Sequence, residues 1–275
     1  MKLTLSVLLA ALALAAAAQA ENVPYGNNRS VGKFYDVNGF KMYCEEYGTG
    51  TPLLMIHGNG GSIHAFTHTI PYFAAKYRVI ATDSRAQGKS RDFHPALTFE
   101  MMADDEAALL DELHIKAADV LGWSDGGIVA LLLAQRHPDK VIKLASTGAN
   151  VQPDASAFAP GLWDNDKKRY DADKNKIWKS NEEKNNWKLF MLDWEQPNIP
   201  FEALHSISCP CLIICGDHDA ISIEHTVKIF QNIPKAALWV VPDSGHATLI
   251  QHADEFNKKV DEFFSGPTSG ATSKP

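Results

Sequence analysis

The chain has 275 residues, 45% of them hydrophobic and 21% charged, and a formal net charge of −7. That is the composition of a soluble globular protein with a sizeable core, and length alone allows one large α/β domain or two small ones. The acidic balance leaves no electrostatic footprint for nucleic acid or an anionic membrane.

Residues 1–20 read as a signal peptide. Lys2 precedes an apolar run from Leu3 to Ala18, and Ala18-Gln19-Ala20 gives the small-x-small pattern that is cut before Glu21. The run falls short of the roughly 20 residues that a membrane span needs, and no basic stop follows it. The expectation is a periplasmic or secreted protein without a stable membrane anchor. Export makes the four cysteines relevant. Cys211 and Cys215 share one strand face, about 13 Å apart at strand rise. That is too far to bridge each other. Cys209 and Cys211 are also badly spaced for bridging along one strand. Buried free thiols are therefore expected, with a Cys44 bridge left open. Cys-x-Cys without a second ligand pair gives no zinc site.

After a polar leader to Ser30, Asn38-Gly39 separates two alternating runs, Lys33 to Val37 and Lys41 to Tyr47, which predicts a hairpin. Pro52 opens an apolar strand, Leu53 to Ile56, ending in His57-Gly58-Asn59-Gly60-Gly61. A helix is expected over Ala65 to Lys76, then a strand over Tyr77 to Thr82. Thr98 caps a long amphipathic helix carrying Met101, Met102, Leu109, Leu110 and Leu113. A buried strand from Ala118 to Leu121 meets Gly122-Trp123-Ser124-Asp125-Gly126, and a helix then runs to about His137. Val141 to Ser146 is the next strand.

The pattern changes at about Asn150. Residues 151–205 are polar, lack an obvious strand and hold Trp163, Trp178, Trp187 and Trp194, which reads as a helical cap insertion. Some of these tryptophans would pack the cap onto the main domain and others would shape a pocket. The parallel pattern resumes with a strand from Cys211 to Cys215, a helix from Ser222 to Asn232 and a last strand from Ala237 to Val241. A closing helix covers Ala253 to Phe264, and residues 266–275 read as a disordered tail. Apolar strands alternating with helices predict an α/β fold, with a mostly parallel sheet covered on both faces and an antiparallel hairpin at one edge.

The chemistry lies at the strand ends. G-x-S-x-G between strand and helix is a nucleophile elbow, where a sharp turn exposes a serine hydroxyl. A serine becomes a nucleophile only when a base takes its proton and an acid holds the base's tautomer. The required order is Ser, acid, His. Downstream, one strand runs into Gly216-Asp217-His218-Asp219 and another into Pro242-Asp243-Ser244-Gly245-His246. Ser124, Asp219 and His246 are the candidate catalytic residues, with Asp217 assigned to local turn bonding and His218 to solvent. Oxyanion N–H groups are expected from Asp125 and from Asn59. The glycine loop fails the G-x-G-x-x-G and G-K-[ST] spellings for phosphate. His64 and His68 lack a third ligand, so no metal site is read.

On these residues the chain resembles the single-domain α/β-hydrolase superfamily, in particular serine hydrolases carrying Gly-Trp-Ser-Asp-Gly-Gly. In that hexapeptide, in Thr147-Gly148-Ala149-Asn150 and in Ala253 to Lys258, it resembles the biphenyl-hydrolase-like (valacyclovirase-like) enzymes that cleave α-amino-acid esters. The resemblance implies the triad Ser124, Asp219 and His246 and an oxyanion hole from Asn59 and Asp125. It also suggests that Asp125 receives a substrate amine; Asp125 and Trp123 are the candidate substrate-binding residues. The simpler reading of Asp125 is an acid suited to the first turn of a helix. Arg85-Ala86-Gln87-Gly88-Lys89-Ser90 departs from the relatives' Arg-Gly-x-Gly-x-Ser at Ala86. A serine rather than aspartate nucleophile separates the chain from haloalkane dehalogenases and epoxide hydrolases, and Asp125 counts against carbon–carbon bond hydrolases. The expected function is hydrolysis of a small-molecule ester without a cofactor. Lactone, thioester or C–C bond hydrolysis, or a non-catalytic binding protein on the same fold, are the alternatives.

Overall fold

Asn38 and Gly39, both at positive φ, turn β1 (Gly32–Val37) back onto β2 (Phe40–Tyr47) as an antiparallel hairpin. The structure, a computed structural model, describes residues 23–267. The expected signal peptide, and the tail beyond 267, lie outside the described residues. Six more strands follow: β3 (Thr51–Ile56), β4 (Tyr77–Thr82), β5 (Ala118–Trp123), β6 (Val141–Thr147), β7 (Cys211–Gly216) and β8 (Ala236–Val241). They join the hairpin in one sheet of order β1-β2-β4-β3-β5-β6-β7-β8, parallel from β4 through β8. This is the α/β-hydrolase fold.

Alternation along the strands fills both faces. Leu54, Ile56 and Val120 point into one core cluster, and Leu53, Met55 and Leu121 into the other. The first cluster is covered by α2 (Phe99–Glu112), capped by the Thr98 hydroxyl, and by α3 (Asp125–Arg136), which is apolar nearly all round. The second is covered by the segment 63–73 and by α8 (Ala253–Ser265), through Phe256, Val260 and Phe264.

The helix expected over 65–76 is not continuous. A 3-10 turn at Ile63–Phe66 ends at Thr67, and a separate short helix, α1 (Ile70–Phe73), begins with Pro71 in its first turn. Proline lacks the N–H that a helix interior needs, so it starts a helix here instead of continuing one. His64 and His68 consequently do not share a helix face.

Between β6 and β7 lie α4 (Leu162–Asp173), α5 (Asn181–Glu195) and a 3-10 segment at Phe201–Ser206. Ser180 and Glu183 form a capping box that starts α5. Before α4, the chain pairs with the turn after β7: Ala159 N donates to Ala220 O, and Ser222 N to Ala157 O. After β7 come α6 (Ile223–Asn232) and, beyond β8, the short α7 (Thr248–Gln251).

All four cysteines are buried free thiols. The spacing argument against a Cys209–Cys211 approach assumed one extended strand. Cys209 instead sits in a bend before Pro210, and the two sulfurs lie 4.0 Å apart.

Candidate active site

Parallel register brings the strand ends to one edge of the sheet, with Ile56 beside Gly122, Trp123 beside Thr147, and Gly216 beside Val241. The turns that follow β3, β5, β7 and β8 therefore open on the same crevice. Ser124 occupies the turn after β5 at φ 56°, ψ −121°, a conformation that costs a non-glycine residue strain. Its N–H donates to Thr147 O, and its carbonyl accepts from Gly127 and Ile128 at the start of α3. The flanking glycines are steric necessities. A Cβ on Gly122 would overlap the Gly126 carbonyl, and one on Gly126 would overlap the Ile56 carbonyl.

The three residues singled out by chain order meet in one hydrogen-bonded line. His246 Nε2 lies 2.9 Å from Ser124 Oγ, and His246 Nδ1 lies 2.6 Å from Asp219 Oδ1. Asp219 is buried, and its carboxylate also accepts from the N–H groups of Gly216 and Ile221. Nδ1–H facing a carboxylate leaves Nε2 free to accept the serine proton. Asp217 is structural, but its backbone bonds reach beyond the local turn expected: it accepts from Asp243 N and Ser244 N and so ties the Asp219 turn to the His246 turn. The hydrogen bond from exposed His218 holds the Asp217 carboxyl down at about 2.

Opposite the serine, the loop after β3 is braced from beneath. His57 is fully buried, and burial pushes its pKa down to about 4. As a neutral ring it donates from Nδ1 to Gly58 O at 2.7 Å and accepts Ser84 N–H on Nε2 at 3.1 Å. Gln87 accepts Gly60 N–H, and the Asp83 carboxylate accepts from Ile63 and Lys89. The second loop carries Ala86 at φ 64°, where the relatives' glycine would rest unstrained. Among the described residues, the backbone N–H groups of Asn59 and Asp125 have no protein acceptor. They remain available to a developing oxyanion.

Ser124 and His246 line a cavity of about 460 Å³, walled by the cap residues Phe158, Trp163, Phe190 and Trp194 and by Asn59, Asp125, Asp166, Arg169 and Asp193. Trp163 and Trp194 stack at 4.5 Å and line the cavity, whereas Trp178 packs at a tilt against Trp187 at 5.5 Å outside it.

Comparisons with known proteins agree with this architecture. Residues 51–182 match the family described by the α/β hydrolase fold. The mouse (Mus musculus) protein named serine hydrolase BPHL is 30% identical over 250 residues, covering 82% of this chain and 84% of that protein. The human (Homo sapiens) counterpart is 29% identical over 255 residues, with the same coverage. A meta-cleavage product hydrolase from Pseudomonas fluorescens IP01 superposes with a TM-score of 0.71 at 23% identity, covering 86% of this chain and 98% of its own. The chain belongs to the α/β-hydrolase family. It is a hydrolytic enzyme.

In this α/β-hydrolase, Trp123 does not take the substrate-binding place given to it by its position beside Ser124. Its indole N–H donates to His246 O at 2.9 Å, and its ring lies 6.0 Å from the imidazole, outside the cavity lining. Alternation along β5 turns residue 123 away from the crevice, and it props the histidine turn instead. Asn59 has a second role, because its side-chain Nδ2 donates to Asp125 Oδ2 at 2.9 Å and to Leu189 O on α5 at 3.1 Å.

The sequence reading missed Asp193 altogether. Its carboxyl contacts that of Asp125, and burial raises both above the usual carboxylate range, Asp125 to about 6. A lone acid inside the apolar run Leu189-Phe190-Met191-Leu192-Asp193-Trp194 was the available signal.

Proposed function

We propose that this α/β-hydrolase cleaves small carboxylic esters through an acyl-enzyme on Ser124. The Ser124 oxygen attacks the ester carbonyl while His246 Nε2 takes its proton. The carbonyl oxygen gains charge against the Asn59 and Asp125 N–H groups. Collapse of the tetrahedral intermediate breaks the bond to the alkoxy oxygen, which leaves with the proton held by His246. Water then attacks the acyl carbonyl, gives its proton to His246, and the acid departs as Ser124 recovers its own. Asp219 stays ionised throughout and balances the imidazolium. The unbroken line from Ser124 through His246 to Asp219, set on a strained turn, is the observation that carries this reading.

Within the ester class we favour amino-acid esters. Asp125 is buried beside the nucleophile with its carboxyl toward the cavity, and the relatives named serine hydrolase BPHL match across most of both chains. A carboxylate facing a substrate ammonium would place the ester carbonyl on Ser124.

A panel of esters varied in acyl chain, alcohol and charge tests the proposal. Wild type should turn over short esters, Ser124→Ala should not, and aminoacyl esters should exceed their des-amino analogues in kcat/KM. Hydrolysis retained by folded Ser124→Ala would remove the mechanism. Equal rates for amino and des-amino esters would remove the substrate preference.

A further inference from the structure

Asp125 and Asp193 come from different parts of the fold, one from the first turn of α3 beneath the sheet edge, the other from the cap helix α5. They meet in the cavity that Ser124 and His246 line. Asp125 is 3% exposed, and its side-chain partners are the neutral Asn59 amide at 2.9 Å and the Asp193 carboxyl. Among the described residues, no lysine, arginine or histidine forms an ion pair with either acid. The charged groups nearby are His246 from the turn after β8 and Asp166 and Arg169 from α4. Arg169 is engaged elsewhere, stacked 4.2 Å over the Phe190 ring and attracted to Asp166.

Two carboxyls in contact, one buried and one half-buried, with no ion-paired cation, repel each other too strongly for both to stay ionised at little cost. One proton between them resolves the conflict, and so does a cation. An ammonium group offers three donors and a full charge, which two carboxylates from opposite walls can share.

We propose that Asp193 is a specificity-determining residue, which joins Asp125 in a two-carboxylate receptor for the ammonium group of an aminoacyl ester. This rests on the ester-hydrolase reading of the same cavity. In the free enzyme the pair holds one proton; the arriving ammonium displaces it to solvent and takes its place. Acid therefore competes with the cationic substrate, while an ester lacking the amine is indifferent to the pair's proton. Because the second carboxylate belongs to the cap, amine recognition and the seating of α5 over the nucleophile become one event.

The test uses the full protein and one L-aminoacyl benzyl ester with its des-amino analogue. The ratio of their kcat/KM values is read from pH 5 to 7.5 in wild type, Asp193→Asn and Asp125→Asn, with active sites counted by a fluorophosphonate probe. Asparagine keeps the size of Asp193 and can still donate a hydrogen bond to Asp125, so it preserves a latch between cap and core while removing the second charge. The expected result is a wild-type ratio that falls as pH is lowered, and an Asp193→Asn ratio about tenfold or more smaller at pH 7. If Asp193→Asn keeps the wild-type ratio and its pH course while Asp125→Asn loses them, Asp193 is a latch only. The proposal then fails while amine recognition by Asp125 stands. A wild-type ratio near one overturns this proposal and the amine preference together, leaving the esterase reading intact if the des-amino ester is cleaved.

Discussion

Gly148 offers a direct way to disturb the histidine without touching any group assigned to the chemistry. It follows β6 at φ +66°, and a Cβ placed on it would stand 2.8 Å from His246 Cε1 and 3.0 Å from Nδ1. Ordinary contact begins at 3.4 Å, so the ring of a Gly148→Ala variant must retreat by more than half an ångström. It has little room to do so, because it is held at 2.6 Å by Asp219 on one side and at 2.9 Å by Ser124 on the other. Displacements approaching 1 Å at a reacting centre cost on the order of 10²-fold, so a loss of about 10- to 100-fold in kcat is expected, with KM little changed. The left-handed backbone adds roughly 1–2 kcal/mol of destabilisation for an alanine. Steady-state hydrolysis of a short chromogenic ester gives the first quantity, and urea unfolding gives the second. A variant within twofold of wild-type kcat would show that the ring position is not what governs the rate.

Trp123→Phe keeps the ring but removes the indole N–H that holds His246 O. We expect kcat to fall several-fold while the ranking of acyl chains stays the same, and an altered ranking would return Trp123 to the substrate pocket. Glu106 is buried without a cation, with Thr82 donating to one oxygen and no partner on the other, and burial pushes its pKa up to about 8. Its folded pKa lies above the ordinary 4.5, so its contribution is fully present below pH 4.5 and is lost as pH rises through 8. Between pH 5 and 8.5, wild type should therefore lose on the order of 3 kcal/mol relative to Glu106→Gln in urea unfolding, and parallel pH profiles for the two proteins would refute this.

The central parallel strands were legible as short apolar runs closed by turn sequences, and the edge hairpin as two alternating runs around Asn38-Gly39. The same logic made the strand-end residues visible, since Ser124, Asp219 and His246 each lie within five residues after such a strand. The segment 65–76 was not legible as two pieces. Its apolar residues fit a helical period, and only Pro71 marked the restart. For Trp123, a place in the elbow motif did not reveal which way the side chain turns, and at the end of β5 it faces away from the crevice. Asp193 was hidden for a different reason. Its meaning depends on where α5 lands over the sheet edge, and nothing local to the cap sequence states that. Cys209 and Cys211 show the converse error, where a regular-strand assumption crossed Pro210 into a bend.

The central claim is that Ser124 carries the acyl group. Brief reaction with a fluorophosphonate, followed by peptide mass spectrometry, reads this directly. The account predicts a single phosphonylated peptide with the mass on Ser124, and no labelling and no ester hydrolysis in Ser124→Ala. Label on another residue, or hydrolysis by Ser124→Ala at a rate comparable to wild type, would contradict it.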